Sequence, residues 1–203
     1  MTPEQLNKKL GNIDLYLLDQ ILKNRISKDI KILDAGCGEG RNLIYFLNNG
    51  YDVSGIDQNP DAIRMLHFII GSGYSDYPKA SFTEGEISQL PYPDHSFGYI
   101  ICSAVLHFAS STSHFWQMFE ALDRVLSPGG SLFVRMTSDI GLKGHVRHDK
   151  ELWRLPDGSI RFLLTTEAIQ RIIDEFGYSR IEPVKTVLVE GQRSMTTLVL
   201  KKK

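Results

Sequence analysis

The chain has 203 residues, 42% of them hydrophobic and 23% charged, with 23 Lys and Arg against 24 Asp and Glu for a formal charge of −1. That is ordinary globular composition, and it excludes a disordered chain, a collagen-like fibre and a disulfide scaffold. The balanced charge gives no global footprint for nucleic acid or a membrane surface, and no apolar run approaches the ~20 residues of a spanning helix.

The N-terminus has no apolar leader, and the two cysteines, Cys37 and Cys102, sit in a glycine loop and an apolar run. A reducing, cytoplasmic location is expected. In chain order, Ile13, residues 15–18, Ile21 and Leu22 recur at helical spacing and predict an amphipathic helix within an N-terminal helical cap over residues 1–28. Residues 30–35 read as a strand, 42–49 as a helix closed by Gly50, and 51–56 as a second strand. Asn59-Pro60 opens a helix that ends near Gly71 and Gly73, and residues 80–85 form a third strand. Residues 98–103 are an apolar buried strand, Ser113 is the expected cap of a helix to Val125, and Ser127-Pro128-Gly129-Gly130 reads as a turn before a strand at 131–136. This repeated alternation predicts βαβ units and a doubly wound parallel sheet.

After Thr137 the rhythm breaks. Residues 138–162 read as a basic insertion or lid, with a hairpin signal at Pro156-Asp157-Gly158. Between 143 and 162, five Lys and Arg, Arg147 and Arg161 among them, face three acids, with His145 and His148 besides. Such a segment either recruits an anionic acceptor through its arginines or is an exposed loop of mixed charge. Thr165 or Thr166 caps a helix to Phe176, and strands at 181–189 and 195–200 are too closely linked to be parallel. Lys201, Lys202 and Lys203 read as a solvated tail, and residues 1–203 as a single domain.

The strongest signal is Ile32-Leu33-Asp34-Ala35-Gly36-Cys37-Gly38-Glu39-Gly40-Arg41-Asn42, a strand running into Gly-x-Gly-x-Gly and a helix. Glycines let the backbone approach a ligand, and the position is where open α/β sheets bind one. A dinucleotide fingerprint would place its third glycine one residue later, and Asp34 would repel a pyrophosphate. The loop suits an ammonium-bearing ligand without phosphates. Asp57 ends the second strand 23 positions after Asp34, near the offset of a ribose-binding carboxylate. It reads as that carboxylate or as a cap for the following turn.

These residues resemble the class I S-adenosylmethionine-dependent methyltransferases, supported by residues 82–87, Leu90-Pro91-Tyr92-Pro93-Asp94-His95-Ser96-Phe97 and Arg124-Val125-Leu126-Ser127-Pro128-Gly129-Gly130. A finer resemblance, to small bacterial tellurite-resistance-type methyltransferases, rests on residues 38–42 and 49–53. The resemblance implies a Rossmann-like, seven-stranded, mostly parallel sheet with an antiparallel final strand and helices on both faces, and S-adenosyl-L-methionine as cofactor with no metal. It implies that Asp34 and the loop of Gly36, Cys37, Gly38 and Gly40, with Asn42 following, face the methionine part. Asp57 would hold the ribose and Gln58 lie against the adenine, with Glu86 and the Ile87 backbone near its amino group. Ser103 and Ala104 would border the methionine and sulfonium. The family often has Asp after Phe in the fourth-strand motif, where this chain has Gly98, so local packing is expected to differ.

Methyltransferases of nucleic-acid amines carry an Asn/Asp-Pro-Pro-aromatic turn after the fourth strand. This chain has Ser103-Ala104-Val105-Leu106-His107-Phe108 instead, which points to a small-molecule acceptor and no nucleic-acid partner. His107 either deprotonates the acceptor or bonds to backbone. Two other readings compete: a non-catalytic module that binds the same nucleoside, and an NAD(P)-dependent oxidoreductase.

Overall fold

A computed structural model describes residues 1–203. Strands β1 (Ile32–Ala35), β2 (Val53–Asp57), β3 (Phe82–Glu84), β4 (Phe97–Ser103) and β5 (Leu126–Thr137) pair in parallel. Helices α1 (Pro3–Leu10) and α2 (Leu15–Leu22) precede them. Helices α3 (Ile44–Asn48), α4 (Pro60–Gly73) and α5 (Thr112–Val125) supply crossovers. Short strands β6 (Val146–Arg147), β7 (Trp153–Arg154) and β8 (Ile160–Arg161) form a separate antiparallel sheet. Helix α6 (Thr166–Asp174) then leads to β9 (Tyr178–Arg180), β10 (Lys185–Val189) and β11 (Arg193–Lys202).

The main sheet has the order β10-β11-β5-β4-β1-β2-β3. β11 lies antiparallel between β5 and the edge, where β10 pairs with its first half and β9 with its last three residues. Eight segments therefore fill seven positions, as the family resemblance implies. Alternation along the strands sorts the core onto two faces. Ile32, Tyr99, Ile101 and Phe133 face Leu17, Phe46, Leu66 and Ile70 of α2, α3 and α4. Leu33, Ile100, Cys102 and Leu132 face Phe115, Phe119, Leu122 and Ile169 of α5 and α6. Both cysteines are free and buried, and no helix is long and apolar enough to cross a membrane.

Several expectations are corrected. The N-terminal region holds two helices, because Thr2 and Gln5 form a capping box that starts α1. Ser111, not Ser113, caps α5 by accepting from the His114 amide. Residues 127–130 belong to β5 as an irregular start, with the register against β4 shifting between Phe97 and Tyr99. Lys201 and Lys202 are not a tail. Both pair within β11, and the Lys202 ammonium donates to the Asp123 carbonyl at 2.7 Å. At Gly98 a Cβ would lie 2.7 Å from that of Ile30, so Ile30 fills the space a larger residue would need.

Candidate functional site

The carboxyl ends of β1, β2, β3 and β4 surround a cavity of about 350 Å³, within the usual size of small-ligand sites. Gly36 forms its floor with φ +81°, and a Cβ there would sit 2.2 Å from Cγ2 of Val105, so only glycine fits. The amides of Gly36 and Cys37 both donate to the Ile56 carbonyl, at 2.8 and 3.0 Å, which folds the loop back over β2.

Over β2 and β3 the wall is acidic. Asp57 accepts from the Gly38 amide at 2.8 Å on one oxygen and from the Asn59 amide at 2.9 Å on the other. Two backbone donors thus fix the carboxylate while each oxygen keeps a lone pair. Gln58, Gly85, Glu86, Ile87 and Ser88 continue this side. Asp34 lies behind the wall, fully buried, and neither carboxylate oxygen has a hydrogen-bond partner. Burial pushes its pKa up to about 7. The Arg41 guanidinium opposes the rise and the Asp57 charge adds to it.

Over β4 the wall is different. Ala104 turns through φ +64° as its amide donates to the Arg135 carbonyl at 2.7 Å, which presents Ser103, Ala104, Val105 and Phe108 to the cavity. Arg41 lines the same space, with Nη2 3.5 Å from the Ser103 hydroxyl. That hydroxyl donates to Asp14 Oδ2 at 3.1 Å, and Arg135 Nη1 donates to the same oxygen at 3.0 Å. Asp14 also caps α2 by accepting from the Tyr16 and Leu17 amides. One buried carboxylate therefore ties α2 to the ends of β4 and β5.

Seven of the residues expected at a cofactor line the cavity: Gly36, Asp57, Gln58, Glu86, Ile87, Ser103 and Ala104. Five do not. Cys37 turns into the core, where its sulfur occupies the space beside Gly55, and Gly40 packs on Leu66. Asn42 accepts from the Asp14 amide at 3.1 Å, Gly38 serves Asp57, and Asp34 is enclosed.

Neither of the two residues expected to act on the acceptor lines the cavity. His107 is buried off the cavity wall, and its Nδ1 accepts from the Thr137 amide at 3.2 Å. Burial, reinforced by Arg161, lowers its pKa to about 4, so the ring is neutral and its basic lone pair is in use. Of the two roles open to it, the structure shows the backbone bond. Arg147 is exposed, stacks on Trp153 at 4.9 Å and donates to the Lys150 carbonyl, in a groove lined by neither Ser103 nor Asp57. Sequence reasoning missed Arg41, Phe108, His114 and Met118 as cavity residues. Arg41 directly follows the glycine loop, and His114 and Met118 share an i, i+4 face of α5, which are the signals available for them.

The acidic lining suits a phosphate-free nucleoside. Asp57 and Glu86 face the cavity and Asp34 lies behind it, so a pyrophosphate would meet like charge. The family model described as a methyltransferase domain matches residues 33–134. An uncharacterized methyltransferase of Synechocystis is 30% identical over 105 residues, covering 52% of this chain and 46% of that one. The chain spans less than half the length of this relative and of two fungal sterol 24-C-methyltransferases that it also matches. A protein of Pyrococcus horikoshii superposes with a TM-score of 0.72 at 17% identity over 100% of both chains. A SAM-dependent methyltransferase of Methanosarcina mazei gives 0.69 at 21% identity over 90% of this chain and 96% of that one. These two structures share the fold.

Proposed function

The chain belongs to the class I S-adenosylmethionine-dependent methyltransferases, and we propose that it catalyses methyl transfer to a small molecule carrying an anionic group. The observation that carries this reading is the Asp57 carboxylate, clamped by the Gly38 and Asn59 amides beside a floor that only Gly36 can form.

When bound, S-adenosylmethionine supplies a methyl group on a positively charged sulfur, already activated for displacement. The chain's part is orientation, which contributes much of the acceleration in such reactions. Asp57 offers one lone pair from each oxygen to a ribose diol. Gln58, Glu86 and the Ile87 backbone border the base. Gly36, Ser103 and Ala104 leave the backbone close to the methionine part, and Asp34, which ionises near pH 7 in the fold, adds negative charge behind it above that pH. The Thr137 amide occupies Nδ1 of His107, so that ring does not serve as the base, and an acceptor that is already anionic needs none. Arg41 and the segment 138–162 favour such an anion, through residues other than Arg147.

Isothermal titration with S-adenosylhomocysteine and with NADH tests the reading. Wild type should bind the first and not the second. Asp57→Ala should weaken S-adenosylhomocysteine at least tenfold, since two charge-assisted hydrogen bonds of about 1.5–3 kcal/mol are lost. NADH binding in place of S-adenosylhomocysteine would reverse it. Tight nucleoside binding with no label transferred to any acceptor would favour a non-catalytic module.

A further inference from the structure

The acceptor side of the cavity carries a chemistry of its own. Phe108 lines it and is 56% exposed, although Leu106, His107 and Ala109 around it are buried. An apolar ring held out of the core beside a cavity offers its remaining surface to an apolar ligand. The Arg161 guanidinium lies 4.7 Å from the centre of that ring.

Arg161 is fixed there. The next residue, Phe162, donates its amide to the His107 carbonyl at 3.1 Å and stacks on Phe115 at 4.6 Å, which plugs the end of β8 into the core. Arg161 Nη1 donates only to its own neighbour, the Ile160 carbonyl, at 2.7 Å, and the side chain makes no salt bridge. The contrast with Arg135 is direct, since Asp14 neutralises that guanidinium within the same region. Arg161 is half-buried with unused donors.

His114 adds a neutral donor. Its Nδ1 accepts from the Ser110 amide at 3.1 Å, which leaves the proton of the neutral ring on Nε2. Val105 and Met118 supply apolar walls. The carboxylates Asp57 and Glu86 stand on the opposite wall, over β2 and β3, two and three strands from β4, so an anion held at Arg161 meets them across the cavity rather than beside it.

We propose that the acceptor is an aromatic acid, its ring laid on Phe108 and its carboxylate taken by Arg161, and that Arg161 is the residue that sets acceptor specificity. A guanidinium pairs with a carboxylate through two parallel N–H bonds, and the ring already stacked beneath it orders that fork. An aliphatic acid would keep the charge pairing and lose the stacking. A neutral aromatic amide would do the reverse. This inference rests on the methyltransferase reading of the same cavity.

The test uses the full chain saturated with S-adenosylhomocysteine, titrated with benzoate, benzamide and cyclohexanecarboxylate by ligand-observed NMR. Wild type should bind benzoate at least tenfold more tightly than either of the others. Arg161→Gln should lose that factor for benzoate and leave benzamide unchanged, and Arg161→Lys should recover part of it. Phe108→Leu should abolish the preference for benzoate over cyclohexanecarboxylate. S-adenosylhomocysteine affinity, measured alongside, should stay within twofold in all three variants and so reports that they fold. Equal binding of benzoate and benzamide, no benzoate binding, or an unaltered preference in Arg161→Gln would overturn the proposal. Failure of wild type to bind S-adenosylhomocysteine would instead overturn the cofactor reading.

Discussion

The two sides of the cavity are built in different ways. The acidic side over β2 and β3 is assembled from short local segments: a glycine turn directly after β1, an acid at the end of β2, and Glu86 just after β3. Backbone amides fix its key carboxylate. The side over β4 draws on residues far apart in the chain: Asp14, Arg41, Ser103, Phe108, His114, Arg135 and Arg161. Side-chain bonds from Ser103 and Arg135 to Asp14 hold much of it together, beside the backbone bonds from Ala104 to Arg135 and from Phe162 to His107. A backbone-built site tolerates sequence change around it and serves a constant ligand. A site built of side chains can be retuned one residue at a time, as acceptor choice requires.

The largest expected effect separates the two directly. Asp14→Ala removes a fully buried partner of Arg135 and the cap of α2, so it should cost about 3–5 kcal/mol in urea denaturation. Asp57→Ala, which leaves only backbone donors exposed near solvent, should cost no more than about 1 kcal/mol. Equal losses would mean that the two sides are built alike.

Asp34 sharpens the contrast through pH. Its carboxyl titrates near 7 in the fold against 3.8 as an ordinary side chain, raised by burial. The folded protein therefore binds a proton that the unfolded chain releases between those values, and stability falls as pH rises from about 4 to about 7. Asp34→Asn should remove this dependence and stabilise the ligand-free protein at pH 8 by on the order of 1–4 kcal/mol, with little effect at pH 4. It should also weaken S-adenosylhomocysteine, because the charge behind the acidic side is gone. Parallel denaturation curves for the two proteins at pH 8 would show that Asp34 finds a partner.

The smallest effect is expected at Arg147→Ala. The side chain is exposed, its one hydrogen bond stays within its own turn and its stack on Trp153 is at the surface, so stability should change by no more than about 0.5 kcal/mol. Acceptor methylation, scored by label transfer, should remain within twofold of wild type. A larger loss would move the acceptor side outward, to the groove between Trp116 and Trp153.

The same contrast marks how far the amino-acid sequence could be read. Period-two strands, helix spacing and glycine punctuation are short-range signals, and they carried the parallel core, the antiparallel end, the glycine loop and Asp57 at the end of β2. The Thr2 capping box is equally local, but α1 offers only Leu6 and Leu10 as an apolar pair and buries no residue, so little draws attention to it. The basic segment 138–162 was legible as charge and not as geometry. Each of its three short strands ends in an arginine, and the stacking of Phe162 on Phe115 is what sets Arg161, rather than Arg147, against the cavity-lining Phe108.

His107 and Arg135 teach the same point. The residue types announce a base and a cation, yet the Thr137 amide occupies one and Asp14 neutralises the other. Chain order by itself determined which elements form and where the backbone must be glycine, because those follow from interactions within a few residues. Tertiary packing alone decided which charges remain free to meet a ligand, because a charge is silenced or exposed by whichever distant group the fold brings within hydrogen-bond reach.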